Sequence, residues 1–218
     1  MQAVSFRSGE IWLEGMLSVP TKAPASLRAV IAHPHPQFGG SMDNNVVCAL
    51  FAALVDFGAL VLRFNFRGVG ASEGRYGNLH GEAEDIIAAA EFLESVKVSS
   101  VNGLLLAGYS FGGLAALYAL ARGLKPQALV LVSPMIPEGG FSACAEFKKI
   151  IPLQIPAMIL SGERDEFFNH ELCEPLLKGA KPKGKLLVVE NADHFWAGQT
   201  HEIKKAVSEF LHSLPAGA

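Results

Sequence analysis

The chain has 218 residues, half of them apolar and only 18% charged, and a formal charge of -3 at pH 7. That balance excludes a disordered charged tail and gives no electrostatic footprint for nucleic acid or an anionic membrane surface. The length suits one domain, 1–218, with a substantial core, and is short for two.

The opening MQAVSFRSGEIWLEGMLSVP lacks the charged head and apolar run of a signal peptide, and no apolar stretch reaches the length of a membrane span. No membrane partner is therefore expected. Three cysteines, Cys48, Cys144 and Cys173, form neither a metal spacing nor an even disulfide set. Buried free thiols in a reducing, cytoplasmic setting are the expectation. Composition does not separate a monomer from a homodimer.

In chain order, Ser5-Phe6 and then Ile11 to Leu17, with Gly9 as the turn, read as a hairpin at a sheet edge. Leu27 to Ala32 is a continuous apolar run, the pattern of a strand buried on both faces. It ends in His33-Pro34-His35-Pro36-Gln37-Phe38-Gly39-Gly40, where the prolines and glycines forbid a regular element. Val46, Leu50, Leu54 and Phe57 mark a helix over Met42 to Phe57, and Ala59 to Phe64 is the next strand. After the Gly-rich stretch Arg67 to Gly74, a helix runs from about Glu82 to Val96. Gly103 to Tyr109 is a strand and Phe111 to Arg122 a small-residue helix. Ala128 to Ser133, Ala157 to Ser161 and Leu186 to Glu190 are further strands, and Ile203, Val207, Phe210 and Leu214 line a closing helix. Pro134 to Pro156 is irregular, with a short helix at Phe141 to Lys149, and is too short for a substantial lid. Strands alternating with helices predict an α/β fold, a mostly parallel sheet covered on both faces. Sites in such folds gather at the C-terminal ends of the strands.

The strongest local signal is Gly108-Tyr109-Ser110-Phe111-Gly112-Gly113, placed between a strand and a helix. An abrupt strand-to-helix turn leaves no space for Cβ atoms beside its apex, which explains the glycines and presents a serine hydroxyl. Ser110 is thus the candidate nucleophile, and the Phe111 amide at the helix start a candidate oxyanion donor. A serine needs a base, and of seven histidines His194 lies beyond the last strand at the same sheet edge. His80, His201 and His212 fall in or beside helices, and His170 opens one after Asn169. The loop after Ala157 to Ser161 offers an acid to orient the imidazole: Asp165, with Glu163 and Glu166 as neighbours. Asp193 adjoins His194 and reads as a brace for its loop.

With this layout the sequence resembles the α/β-hydrolase superfamily throughout its length. HPHPQFGGSMDNNVV from His33, LRFNFRGVGASEG from Leu62 and AGYSFGG from Ala107 are similar to the small lidless bacterial branch related to dienelactone hydrolases and X-Pro dipeptidyl-peptidase-like proteins. The resemblance implies a triad of Ser110, Asp165 and His194, no metal or organic cofactor, and a second oxyanion donor from the loop after Ala32. Pro34 and Pro36 have no amide hydrogen, so that donor is His35, Gln37 or Phe38. Dienelactone hydrolases use a cysteine where this chain has Ser110.

Tyr109, Phe167, Phe168, Phe195 and Trp196 fall near the same edge and are read as walls of a substrate pocket for an apolar acyl group. The expected function is hydrolysis of small carboxylic esters through an acyl-enzyme on Ser110. Alternatives are an acyl-thioesterase, a small amide or peptide hydrolase, and a non-catalytic binding protein on the same fold. Gly68 to Gly74 fails as a dinucleotide loop because its helix starts too late, and Arg67 is expected to pair with Glu82 or Asp85. Lys178 to Lys185 carries four lysines and reads as a solvated turn.

Overall fold

The computed structural model describes residues 1–20, 27–98, 103–180 and 184–215. Its strands are β1 (Gln2–Ser8), β2 (Ile11–Ser18), β3 (Leu27–Ala32), β4 (Leu60–Phe64), β5 (Gly103–Tyr109), β6 (Ala128–Val132), β7 (Ala157–Arg164) and β8 (Lys185–Asp193). Its helices are α1 (Asn45–Phe57), α2 (His80–Ser95), α3 (Phe111–Ala121), α4 (His170–Leu177) and α5 (Thr200–Ser213). All eight strands join one sheet in the order β1-β2-β4-β3-β5-β6-β7-β8, parallel from β4 through β8, with the β1–β2 hairpin antiparallel at one edge.

The central strands read as unbroken apolar runs because each face is buried in a different core. Ala29 and Ile31 of β3 join Val130 and Val132 of β6 under α1 and α5. Val30 and Ala32 of β3 join Leu129 and Leu131 of β6 beneath α2 and α3. Period-two alternation thus sends successive side chains into separate layers. α3 lies almost wholly buried, and its glycines and alanines let it approach the sheet closely.

Several boundaries differ from the sequence pattern. α1 starts at Asn45 rather than Met42, because the Met42 amide donates to Asn65 Oδ1 and Asn44 caps the helix through Val46 N at 2.9 Å. α2 starts at His80, two residues early, since the Glu82 carboxylate accepts the amides of Gly77 and Leu79 and holds the first turn. Arg67 pairs with Asp85 and reaches Glu84, leaving Glu82 to this capping. The short helix expected at Phe141 to Lys149 is a single 3-10 turn, Ala145–Lys149. Its Phe147, with Phe141 and Leu153, turns inward onto the α3 side of the core. The segment between β6 and β7 therefore packs down beside α3, and the fold has no lid. Cys173 is buried as expected, but Cys48 on α1 is exposed and Cys144 half-buried; all three are free. Residues 181–183 of the lysine-rich turn lie outside the described residues.

Candidate active site

From β3 the chain steps outward to β4, then crosses to β5 on the other side of β3. The loops leaving β3 and β5 therefore part, and the crevice they open is where Ser110 sits. Ser110 has φ 52° and ψ -118°, a left-handed conformation imposed by the direct passage from β5 into α3. A Cβ at Gly108 would stand 2.5 Å from the Gly112 carbonyl oxygen, and one at Gly112 2.4 Å from that of Ala32. Both glycines are thus required by close backbone approach.

The Ser110 hydroxyl lies 3.2 Å from His194 Nε2, and His194 Nδ1 lies 2.9 and 3.0 Å from the two oxygens of Asp165. An ionised carboxylate only accepts, so Nδ1 carries the hydrogen and Nε2 is left free to accept from the serine. Burial alone would raise the Asp165 carboxyl. Hydrogen bonds from His194 and Ser133, the His194 charge and the Phe167 amide outweigh it and hold Asp165 below the usual carboxylate range. The other acids do not compete. Glu163 accepts the Asn191 amide at 3.0 Å, Glu166 is exposed, and Asp193 makes no bond to His194 among the described residues.

Further hydrogen bonds brace this chain of contacts. The Tyr109 hydroxyl donates to the His194 carbonyl at 2.9 Å, and Asn45 Nδ2 donates to the next carbonyl, that of Phe195, at 3.0 Å. The Trp196 indole N–H donates to Ser133 Oγ at 3.1 Å, and Ser133 in turn helps to lower the Asp165 carboxyl. Tyr109 and Trp196 are 3% and 0% exposed, so neither walls a pocket as the sequence suggested; both are struts beneath the histidine loop. Burial, with the charges of Asp165 and Asp193, raises the Tyr109 phenol and keeps it a neutral donor. Ser133 and Asn45 were not singled out from sequence. Ser133 follows a strand at the right edge, but a lone serine carries no signature of which way it points.

The loop after β3 is pinned by His33, whose Nε2 accepts the Phe66 amide at 3.0 Å while Nδ1–H donates to the Pro34 carbonyl at 2.6 Å. Of the three candidate amides beyond it, that of Gln37 donates to His35 Nδ1 and that of Phe38 to the His35 carbonyl. The His35 amide and the Phe111 amide have no acceptor among the described residues. The His35 ring packs 4.7 Å from that of Phe111, so the two free amides belong to adjoining residues of one wall.

Around the mouth, Phe38, Phe167 and Phe195 are 84%, 67% and 62% exposed. Phe167 and Phe195 set their rings at 5.0 and 5.6 Å from His194, while Phe168 turns away onto His170. A serine hydroxyl, an imidazole and a carboxylate in hydrogen-bond contact, with free amides alongside, form an arrangement able to support acyl transfer. Among the described residues no cluster of three or more His, Cys, Asp or Glu side chains is set to hold a metal ion, and no helix is long and apolar enough to cross a membrane.

Comparison with known proteins agrees with this fold. A family model described as an alpha/beta hydrolase domain matches residues 26–211. An uncharacterized protein of Rickettsia prowazekii is 31% identical, over 98% of this chain and 90% of its own. Among solved structures, an alpha-beta serine hydrolase homologue from Coxiella burnetii is 30% identical with TM-score 0.82, covering 96% of this chain and 97% of its own. A serine hydrolase without a lid from Xanthomonas campestris is 28% identical with TM-score 0.82, covering 99% and 95%.

Proposed function

The chain belongs to the alpha/beta hydrolase family, and from that premise we propose that it is a serine esterase cleaving small carboxylic esters through an acyl-enzyme on Ser110. The observation that carries the proposal is the unbroken contact Ser110–His194–Asp165, at 3.2 Å and then 2.9 Å. The free thiols support a reducing, cytoplasmic setting, and the single eight-stranded sheet supports reading the chain as one domain. The three stretches similar to dienelactone hydrolases and X-Pro dipeptidyl-peptidase-like proteins support a kinship of architecture. With a serine as nucleophile we do not extend it to their lactone substrates.

His194 Nε2 takes the Ser110 proton as Oγ attacks the ester carbonyl. The amides of Phe111 and His35 receive the oxyanion, each worth about 3 kcal/mol of transition-state stabilisation. Asp165 fixes the imidazole tautomer and stabilises its cation. The proton then passes to the leaving alkoxide oxygen, the carbon–oxygen bond breaks, and a water activated by the same histidine frees the acid. With no lid to exclude bulk solvent, small soluble esters reach Ser110 directly.

Hydrolysis of p-nitrophenyl acetate, butyrate and octanoate, with Ser110→Ala alongside, tests this. Turnover that vanishes in the variant, together with fluorophosphonate labelling of wild-type Ser110, is the expected result. A folded protein that neither turns over these esters nor takes the label would refute it.

A further inference from the structure

Resting on that reading, the geometry points to selectivity for the alcohol half of the ester, and we propose that Phe167 and Phe195 bind an aromatic or bulky apolar leaving group. The argument starts from where atoms must go. The substrate carbonyl oxygen has to meet the Phe111 and His35 amides, which places it on the α3 side of Ser110. The leaving oxygen has to receive its proton from His194 Nε2, the nitrogen 3.2 Å from Ser110 Oγ. The first carbons of the alcohol therefore pass beside the imidazole ring.

What surrounds that ring is apolar and open. Phe167 and Phe195 meet it edge-on at 5.0 and 5.6 Å, and stand 6.5 Å from each other at 79°. Each is more than half exposed, so neither serves the core. Their backbones are nevertheless fixed: the Phe167 amide donates to Asp165 Oδ1 at 3.1 Å, and the Phe195 carbonyl accepts from Asn45. Two exposed aromatic rings on anchored backbones, in edge contact with each other, form an apolar surface preset beside the imidazole. An aromatic alcohol can stack or meet edge-on with both.

In the acylation step the Ser110 Oγ–acyl bond forms and the acyl–alkoxy bond breaks. The serine proton travels through His194 to the departing alcohol, so no other reactant is needed. Because kcat/KM reports this step, it reports the alcohol's fit.

The test compares benzyl acetate with 2-methoxyethyl acetate, which share the acyl group and have alcohols of similar acidity, in wild type and in the Phe167→Ala/Phe195→Ala double variant. Wild type is expected to favour the benzyl ester by about tenfold in kcat/KM, the product of two aromatic contacts each worth about threefold. In the double variant that ratio falls toward one, while its ratio for ethyl acetate over ethyl butyrate stays as in wild type. An absent benzyl preference in wild type overturns the proposal. So does a double variant that loses acyl-length selectivity and keeps alcohol selectivity, which would put both rings on the acyl side. Ser110 labelled by fluorophosphonate without a benzyl preference defeats this inference alone, whereas an unlabelled Ser110 defeats the esterase reading itself.

Discussion

Mild acid should weaken the fold through one residue, His33, and by an amount that can be worked from its surroundings. The side chain is fully buried, and burial takes its pKa from 6.5 down to about 4. Protonation would place a hydrogen on Nε2, which accepts the Phe66 amide at 3.0 Å, and so set two donors face to face. The folded state therefore keeps His33 neutral while the unfolded chain takes up a proton below pH 6.5. Between pH 6.5 and 4 the unfolded state binds more protons, so the stabilisation is complete above that window and is lost as pH falls through it. At about 1.4 kcal/mol per unit, the loss reaches about 3 kcal/mol by pH 4. Asp165 acts in the same direction but later: its carboxyl lies below the ordinary 3.8, so its contribution goes only in stronger acid.

The assay is urea unfolding followed by tryptophan fluorescence at pH 7.5, 6, 5 and 4.5, with His33→Gln beside the wild type. The variant lacks the titrating group and should start less stable at pH 7.5. The gap should then narrow by more than 2 kcal/mol, in order-of-magnitude terms, as the pH reaches 4.5. Stability curves for the two proteins that stay parallel across the window would refute the reasoning. Esterase activity adds a second readout, since His33 pins the loop that carries the His35 amide.

Replacing Ser133 with Ala leaves the Trp196 N–H buried without an acceptor, which costs about 1–3 kcal/mol, and a calorimetric Tm should drop by about 2–4 °C per kcal/mol. The same change removes a hydroxyl that helps to hold the Asp165 carboxyl low, so kcat on p-nitrophenyl acetate should fall, and Ser133→Thr should restore part of it. Tyr109→Phe deletes the hydroxyl that holds the His194 carbonyl and should lower kcat/KM by about five- to tenfold with little change in fold by circular dichroism. Gly112→Ala drives a Cβ to within 2.4 Å of the Ala32 oxygen, so the soluble yield should collapse, or Ser110 should lose its fluorophosphonate labelling. Asp165→Asn removes the acceptor that sets the His194 tautomer and should reduce kcat by about 10⁴-fold, measured on the same ester.

The elements that were legible in the sequence are those whose two faces meet different cores. LRAVIA and ALVLV read as strands buried on both faces, and the loops after their neighbours β5, β7 and β8 bring Ser110, Asp165 and His194 to the same edge. Boundaries set by polar side chains were harder. Nothing in a hydropathy pattern shows that Glu82 would close the turn at Gly77 and Leu79, or that Asn65 would take the Met42 amide. The aromatics near the site illustrate the same limit. Tyr109 alternates inward along β5, and Trp196 drops into the α1–α5 layer to reach Ser133, whereas Phe167 and Phe195 stay at the surface. Sequence proximity to the site brought all four together, and only packing sorts struts from walls. Sequence left three candidate amides in the loop after Ala32, and only the fold shows that those of Gln37 and Phe38 are engaged within their own loop.

The sheet also divides the site mechanically. Tyr109, Ala192 and Trp196 root the histidine loop in the layer under α1 and α5, while Phe111 and Phe66 root the facing wall, with its free amides, in the layer under α2 and α3. Ser110 is the hinge pin between two separately packed bodies, and each can soften without the other. A cavity cut at Val207 should raise amide exchange around His194, and one cut at Ile86 should raise it around Phe66, so the same loss of turnover can reach the serine from either side.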